Sequence, residues 1–198
     1  MNQRLFLAIN LPQQIKEQLF DLVLKLQKTN KNKPIKWVEK DNFHLTLHFL
    51  GDTPEEKIQE ITQALKPIVA DFKTLNFQLL NSISSFPNLK DPKVIFLEMK
   101  ELNDGQTVKL QKQIGEALTK LGYIIDNRPF RLHLTLGRIK LKTSVQIPDF
   151  QPSLAEANSG WRRPMPIANF LINSIDLMES YLTPTGPIYK IIKQYNLS

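Results

Sequence analysis

Two short stretches of the sequence carry side chains able to act together on one bond, His44-Leu45-Thr46-Leu47 and His133-Leu134-Thr135-Leu136. Once a histidine is given, Leu-Thr-Leu follows it by chance about one time in two thousand at ordinary residue usage. Two of the three histidines in the chain are followed in this way. Packing alone has no reason to choose histidine twice in the same tetrapeptide. In an extended strand, residues two apart face the same way, so His44 and Thr46 project together while Leu45 and Leu47 anchor the opposite face. His133 and Thr135 repeat the arrangement. If a pseudo-twofold axis relates the copies, two imidazoles and two hydroxyls converge on one groove from opposite sides. In-line displacement at phosphorus needs that disposition: a base for the attacking water, and an acid for the oxygen leaving on the far side. Histidine can fill either role near neutrality. The threonine hydroxyls can donate to oxygens on which charge develops.

Other chemistries lack their parts. His44 and His48 lie four apart, which on a strand places them about 13 Å apart, too far to share one ion near 2 Å. The chain has no cysteine and no His-Glu-x-x-His, so it offers neither a disulfide nor a thiolate nor a familiar zinc helix. It also lacks a phosphate-cradling Gly-x-x-x-x-Gly-Lys-Ser/Thr loop and a Gly-x-Ser-x-Gly elbow.

The elements that must hold these motifs alternate between strand and helix. Leu5, Leu7 and Ile9 give a half-buried strand over residues 4–10. Pro12 opens a helix whose stripe is Ile15, Leu19, Leu22, Val23 and Leu26. A second helix is predicted from Thr53-Pro54-Glu55-Glu56 as a capping box, with a stripe of Ile58, Ile61, Leu65, Ile68 and Phe72 and a kink or shortened last turn at Pro67. A third spans about 106–121 and stops at Gly122. Strands are predicted over 75–83, 94–99, 133–139, 167–178 and 188–195, with a turn at 183–187. Four prolines make 142–166 a long connection. With 198 residues, 41% of them hydrophobic, the chain suits a single domain over 1–198 or two packed lobes. No apolar run approaches the roughly 20 residues of a membrane span, and the first residues lack a signal peptide's architecture. The absence of cysteine fits a reducing cytoplasm. A net charge of +7 and a pI near 9.5 favour polyanionic partners.

Five further stretches, Arg4-Leu5-Phe6-Leu7-Ala8-Ile9, Trp37-Val38, Phe49-Leu50-Gly51, Arg128-Pro129-Phe130 and Gly186-Pro187-Ile188-Tyr189, flank the motifs in order. With them the chain resembles the LigT-like RNA 2',3'-cyclic phosphodiesterases of the two-histidine phosphoesterase superfamily, formerly called 2'-5' RNA ligases. The resemblance implies an α+β fold, bilobal and pseudo-twofold, with two antiparallel β-sheets lining a central groove and helices packed outside. It implies a metal-independent enzyme, without cofactor, that opens a terminal 2',3'-cyclic phosphate on RNA ends or nucleotides to a 2'-phosphate, with 2'-5' ligation as a weaker reverse reaction. By analogy His44 is the proton donor and His133 the acceptor, although the two roles are interchangeable on sequence alone. Thr46, Thr135 and Arg138 become phosphate ligands, and Phe43, Phe86, Phe96 and Trp37 become stacking candidates for base and ribose. Leu132 stands where the family often has proline, Phe96 where it often has tryptophan, and His48 where it usually has lysine or arginine. Trp161-Arg162-Arg163 could grip RNA. The expected protein is a cytoplasmic monomer with no membrane partner. Two other functions stay open: a sister enzyme acting on ADP-ribose cyclic phosphate or 2'-5' oligonucleotides, and a non-catalytic RNA-binding module.

Overall fold

A computed structural model describes residues 2–139, 168–184 and 186–198. The 142–166 connection and Trp161-Arg162-Arg163 lie outside the described residues. Nine strands form two antiparallel sheets. The four-stranded sheet has the order β3 (His44–Pro54), β1 (Asn2–Asn10), β8 (Ser174–Leu182), β9 (Pro187–Asn196). The five-stranded sheet has the order β2 (Ile35–Trp37), β6 (His133–Ile139), β5 (Val94–Glu101), β4 (Leu75–Phe86), β7 (Asn169–Ile172). Among the described residues three α-helices accompany the sheets, α1 (Gln13–Thr29), α2 (Lys57–Ala70) and α3 (Gln106–Lys120), with a short 3-10 turn at Lys40–Asn42. The α+β fold with two antiparallel sheets is therefore the expected one.

The first strand is buried more deeply than its alternation suggests. Leu5, Leu7 and Ile9 join the main core, while Phe6 and Ala8 on the other face are covered too, against Met178 and Tyr189. A central strand with a closed groove over its second face buries both sides. α1 buries the expected stripe of Ile15, Leu19, Leu22, Val23 and Leu26. α3 buries Leu110, Ile114 and Leu118, and Gly122, at φ +89°, takes the left-handed turn that ends it.

Three expectations need correction. The capping box at Thr53 does not form: β3 runs through Pro54 and α2 begins at Lys57 without a side-chain cap. Thr53 instead pairs with Gln3 in the ladder, and its hydroxyl donates to the Gly51 carbonyl at 3.2 Å. The α2 stripe also differs: the helix contains Pro67 and ends at Ala70, short of Phe72, and Val69 joins Ile61 and Leu65 on its buried face. The strand predicted over 167–178 is two strands in different sheets, because the inward phase moves from Phe170 and Ile172 to Ile175 and Leu177. A change of phase reverses which face is apolar, and the chain crosses between sheets at Asn173. There the Asn173 side chain accepts from the Thr74 hydroxyl, and its carbonyl accepts from the Leu197 amide. Finally, β2 had no signal of its own: three residues are too short for a period.

The seat of β2 depends on Gly137. A Cβ there would lie 2.9 Å from Ile35 Cγ2 and 3.1 Å from Trp37 Cε3, both on β2, which is paired with β6 at this point. Gly137→Ala should therefore lower stability by about 1–3 kcal/mol, the usual cost of overpacking. Urea unfolding reads this directly, and a midpoint unchanged from the parent would show that β2 moves aside freely.

Candidate active site

Both motif strands begin at their histidines, and over seven residues their exposure follows the same sequence, from half-buried His44 and His133 to half-buried Leu50 and Ile139. The likeness includes an irregularity. Across β1 and β3, Ala8 faces Thr46 but Leu7 faces His48, leaving Leu47 unpartnered; across β5 and β6, Phe96 faces Thr135 but Ile95 faces Gly137, leaving Leu136 unpartnered. Each is a β-bulge, which turns the following residues over to the other face. Strict alternation would aim Gly137 at the groove and Arg138 away from it. With the bulge, His133, Thr135 and Arg138 share the groove face, as do His44, Thr46 and Phe49.

The bulge also disposes of the His44–His48 spacing. His48 turns to the core face, 5% exposed, where its Nε2–H donates to the Gln111 carbonyl of α3 at 2.7 Å. Its ring fills the space left by Gly115, whose added Cβ would lie 3.0 Å from Cε1. His44 and His48 therefore sit on opposite faces rather than 13 Å apart on one.

Each motif histidine is held by the residue two before it. The Nδ1–H of His44 donates to the Asn42 carbonyl at 2.8 Å, and that of His133 to the Arg131 carbonyl at 2.7 Å. A carbonyl only accepts, so Nδ1 carries the proton and neutral imidazole presents Nε2 as a lone pair. In the first motif the Thr46 hydroxyl donates to this Nε2 at 3.0 Å. The two anchoring residues are themselves tethered, by different means. Asn42 donates through Nδ2 to the Pro187 carbonyl at 2.9 Å. Arg131 is paired with Glu98 at 2.5 Å and lies over the Phe86 and Phe96 rings, 5.7 and 5.0 Å from their centroids.

Aromatic corners complete the seats. His44 packs against Phe6 and edge-on against Tyr189, both at 5.1 Å; His133 stands edge-on to Phe86 at 4.9 Å and against Phe96 at 5.3 Å. This changes the part played by two stacking candidates. Phe96 is fully buried beneath His133, and Phe43 is 1% exposed in the core, so neither offers a face to a base. Phe86 stays half-buried at the groove. Tyr189 and Phe6 are the site aromatics that residue-by-residue reading passed over, although both lie in the flanking stretches that carried the resemblance.

His44, Thr46, Thr135 and Arg138 line one cavity of about 860 Å³, with Trp37 and Tyr189 among its walls. Burial pushes His44 well below the usual histidine value, to about 4; the bond to Asn42 opposes this, while Lys16, Arg138 and His133 add repulsion. His133 is lowered as well, first by burial, with Arg138 and Arg131 repelling its charged form and the Arg131 carbonyl opposing. Both shifts favour neutral imidazoles at pH 7, each with Nε2 free of a proton and Arg138 near enough to repel the charged form.

The model of the "LigT like Phosphoesterase" family matches residues 9–96 and 101–189, one motif in each stretch. The chain belongs to this family. Among curated relatives, the RNA 2',3'-cyclic phosphodiesterase of Methanocaldococcus jannaschii is 35% identical, covering 97% of this chain and 99% of that one. The enzyme of the same name from Archaeoglobus fulgidus is 31% identical, with coverage of 97% and 99%. The crystal structure of Escherichia coli LigT complexed with 3'-AMP superposes with a TM-score of 0.78 at 25% identity, covering 100% of this chain and 99% of that one. LigT-like phosphoesterases thus supply the fold, and among the described residues no helix is long and apolar enough to cross a membrane.

The electrostatics of this LigT-like groove can be measured. In NMR titrations of the free protein His44 should titrate near 4 and His133 below 6.5, each with Nδ1 protonated in its neutral form. A 2'-phosphate in the groove should raise both, because an anion favours imidazolium. His48 is lowered too, mainly by burial. The unfolded chain therefore binds protons at these three histidines before the folded one does, so stability should fall as pH drops from 6.5 toward 4. Titration of either groove histidine at or above 6.5 in the free protein would contradict the burial argument.

Proposed function

We propose that the chain is an RNA 2',3'-cyclic phosphodiesterase that hydrolyses a terminal 2',3'-cyclic phosphate to a 2'-phosphate. One observation carries the reading: two histidines with locked Nδ1–H groups lead two equivalent strands, and His44, both threonines and Arg138 line one cavity. The names of the archaeal relatives support the substrate, and the 3'-AMP of the E. coli relative supports a nucleotide in the groove.

The cyclic phosphate brings a negative charge to a site where burial above all, with repulsion from Lys16, Arg138 and the second histidine, had depressed His44. The anion offsets that repulsion and lets His44 hold a proton on Nε2. The Thr46 hydroxyl, no longer needed as donor to Nε2, turns its hydrogen to a non-bridging oxygen, and Thr135 does the same from the facing strand. Water attacks phosphorus while Nε2 of His133 takes its proton. The P–O3' bond breaks, and the 3'-oxygen takes the proton of His44. The 2'-phosphate remains, with one proton moved from water to His133 and one from His44 to the leaving oxygen. With the 5'-hydroxyl of a second strand in place of water, the same displacement would break the P–O3' bond and join the ends by a 2'-5' bond, His133 taking the hydroxyl proton and His44 giving its own to the 3'-oxygen. Arg138 sits at the groove edge of β6 as the fixed cation for the phosphate. We take the protein to act as a cytoplasmic monomer, one domain over residues 1–198.

Product analysis on a dinucleotide with a 2',3'-cyclic end, with and without chelator, is the test. A 2'-phosphate should form equally in both. His44→Ala and His133→Ala should each slow turnover about a hundredfold or more, and the double variant should lose far less than the product of the two. The optimum of kcat/KM, which reports the free enzyme, should lie below pH 6.5, and that of kcat higher. Near-normal turnover in either single variant would refute the mechanism, and RNA affinity without any reaction would make this a binding module.

A further inference from the structure

The groove continues past the histidines. On the concave face of the four-stranded sheet the register sets out successive rungs: Asn10 beside His44, Ala8 beside Thr46, Phe6 beside Phe49, and Arg4 beside Asp52. Six residues separate Asn10 from Arg4, a strand length of about 20 Å. Across the sheet, Ser180 faces Tyr189 and Leu182 faces Pro187 at the same outer end. Three large apolar side chains stand open here, Phe49 at 66%, Leu182 at 70% and Ile188 at 58% exposed. All three line the cavity that contains His44 and Arg138. Surface apolar residues scattered singly need no explanation, but three gathered on the rim of one cavity mark a binding surface.

Charge indicates what binds. Lys36 on β2 lies directly opposite Arg138 on β6, and like charges in that position repel. Lys36 reaches from the five-stranded sheet toward the β8–β9 turn, where a Cβ on Gly186 would sit 3.2 Å from its Nζ. Arg4 comes from the other sheet. Arg138 acts electrostatically on both groove histidines and on Tyr189, while Arg4 acts on Tyr189 from the outer rungs. Among the described residues neither Arg4 nor Lys36 has an ion-pair partner. Two cations from opposite walls, neither with an ion-pair partner among the described residues, stand around an aromatic ring and two aliphatic side chains, a set that suits a phosphodiester and the base beside it.

We propose that Arg4, Lys36, Phe49, Leu182 and Ile188 form a second subsite, for the penultimate nucleotide of an RNA strand whose terminal cyclic phosphate lies at the histidines. Arg4 and Lys36 face the phosphodiester joining the last two nucleotides. Phe49, with Leu182 and Ile188, receives the penultimate base by stacking and apolar contact, which every base can satisfy. This rests on the phosphodiesterase reading and makes the preferred substrate an oligonucleotide end rather than a mononucleotide.

Turnover of a mononucleoside 2',3'-cyclic phosphate and of the dinucleotide with the same end, measured side by side, tests it. The dinucleotide should show kcat/KM at least tenfold higher, mostly through KM, whatever its penultimate base. Phe49→Ala and Leu182→Ser should each remove most of that advantage while mononucleotide turnover stays at the parent level, which also reports that the variants fold. Arg4→Gln should flatten the salt dependence of the dinucleotide alone. Equal kcat/KM for the two substrates would overturn the subsite and leave the phosphodiesterase reading standing. A loss in Phe49→Ala that falls equally on both would place Phe49 at the terminal nucleotide and overturn it as well. Calorimetry with mono- and dinucleotide 2'-phosphates reads the subsite without turnover, and equal affinities there would sink it even if neither cyclic substrate reacted.

Discussion

Leu47 and Leu136, each one residue too many for the ladder, turn the chain over by half a period just beyond the motif threonine. What the groove contains follows from this. The turn brings Arg138 to the groove side of β6 and leaves Gly137 against Ile35 and Trp37 of β2, where a Cβ would crowd both side chains. On β3 it brings Phe49 to the groove and sends His48 into the contact with α3. The same backbone device yields a cation on one wall and an aromatic ring on the other, so the groove is symmetric in its two histidine motifs and asymmetric in what surrounds them.

The histidine seats show how a neutral pair becomes a charged one. Aromatic corners and neighbouring cations make imidazolium costly in the empty groove, and the carbonyls of Asn42 and Arg131 hold the rings in one tautomer. In the proposed mechanism an anionic substrate supplies the compensation that the protein withholds, so that the dipoles are fixed beforehand and the charge arrives with the ligand.

Much of this was legible in the residues. The α1 stripe appeared as read because an exposed helix with one buried face obeys its period strictly, and the duplicated tetrapeptide gave both site strands. The bulges were not legible, since a period of two continues through Leu136 to Gly137 without a mark; Arg138 entered by resemblance and found its physical reason only in the register. Thr53 had the composition of a cap but was claimed by β3, a tertiary pairing that outweighs a local signal. Phe43 and Phe96 offer no face to a ligand because burial claims them: Phe96 packs against His133 from below, and Phe43 belongs to the core. The sheet crossing at Asn173 was present as a phase slip between Ile172 and Ile175, which a single long strand had absorbed.

Strand order holds one more lesson. The part of the chain before α3 places β1 and β3 in one sheet and β2, β4 and β5 in the other; the part after it places β6 and β7 in the second sheet and β8 and β9 in the first. Neither half builds a wall of the groove by itself, although each carries one complete motif. Both walls therefore draw strands from both parts of the chain, so the groove exists only once the whole fold has closed, and its two histidine seats are tethered from different places, one through Asn42 and the other through Arg131.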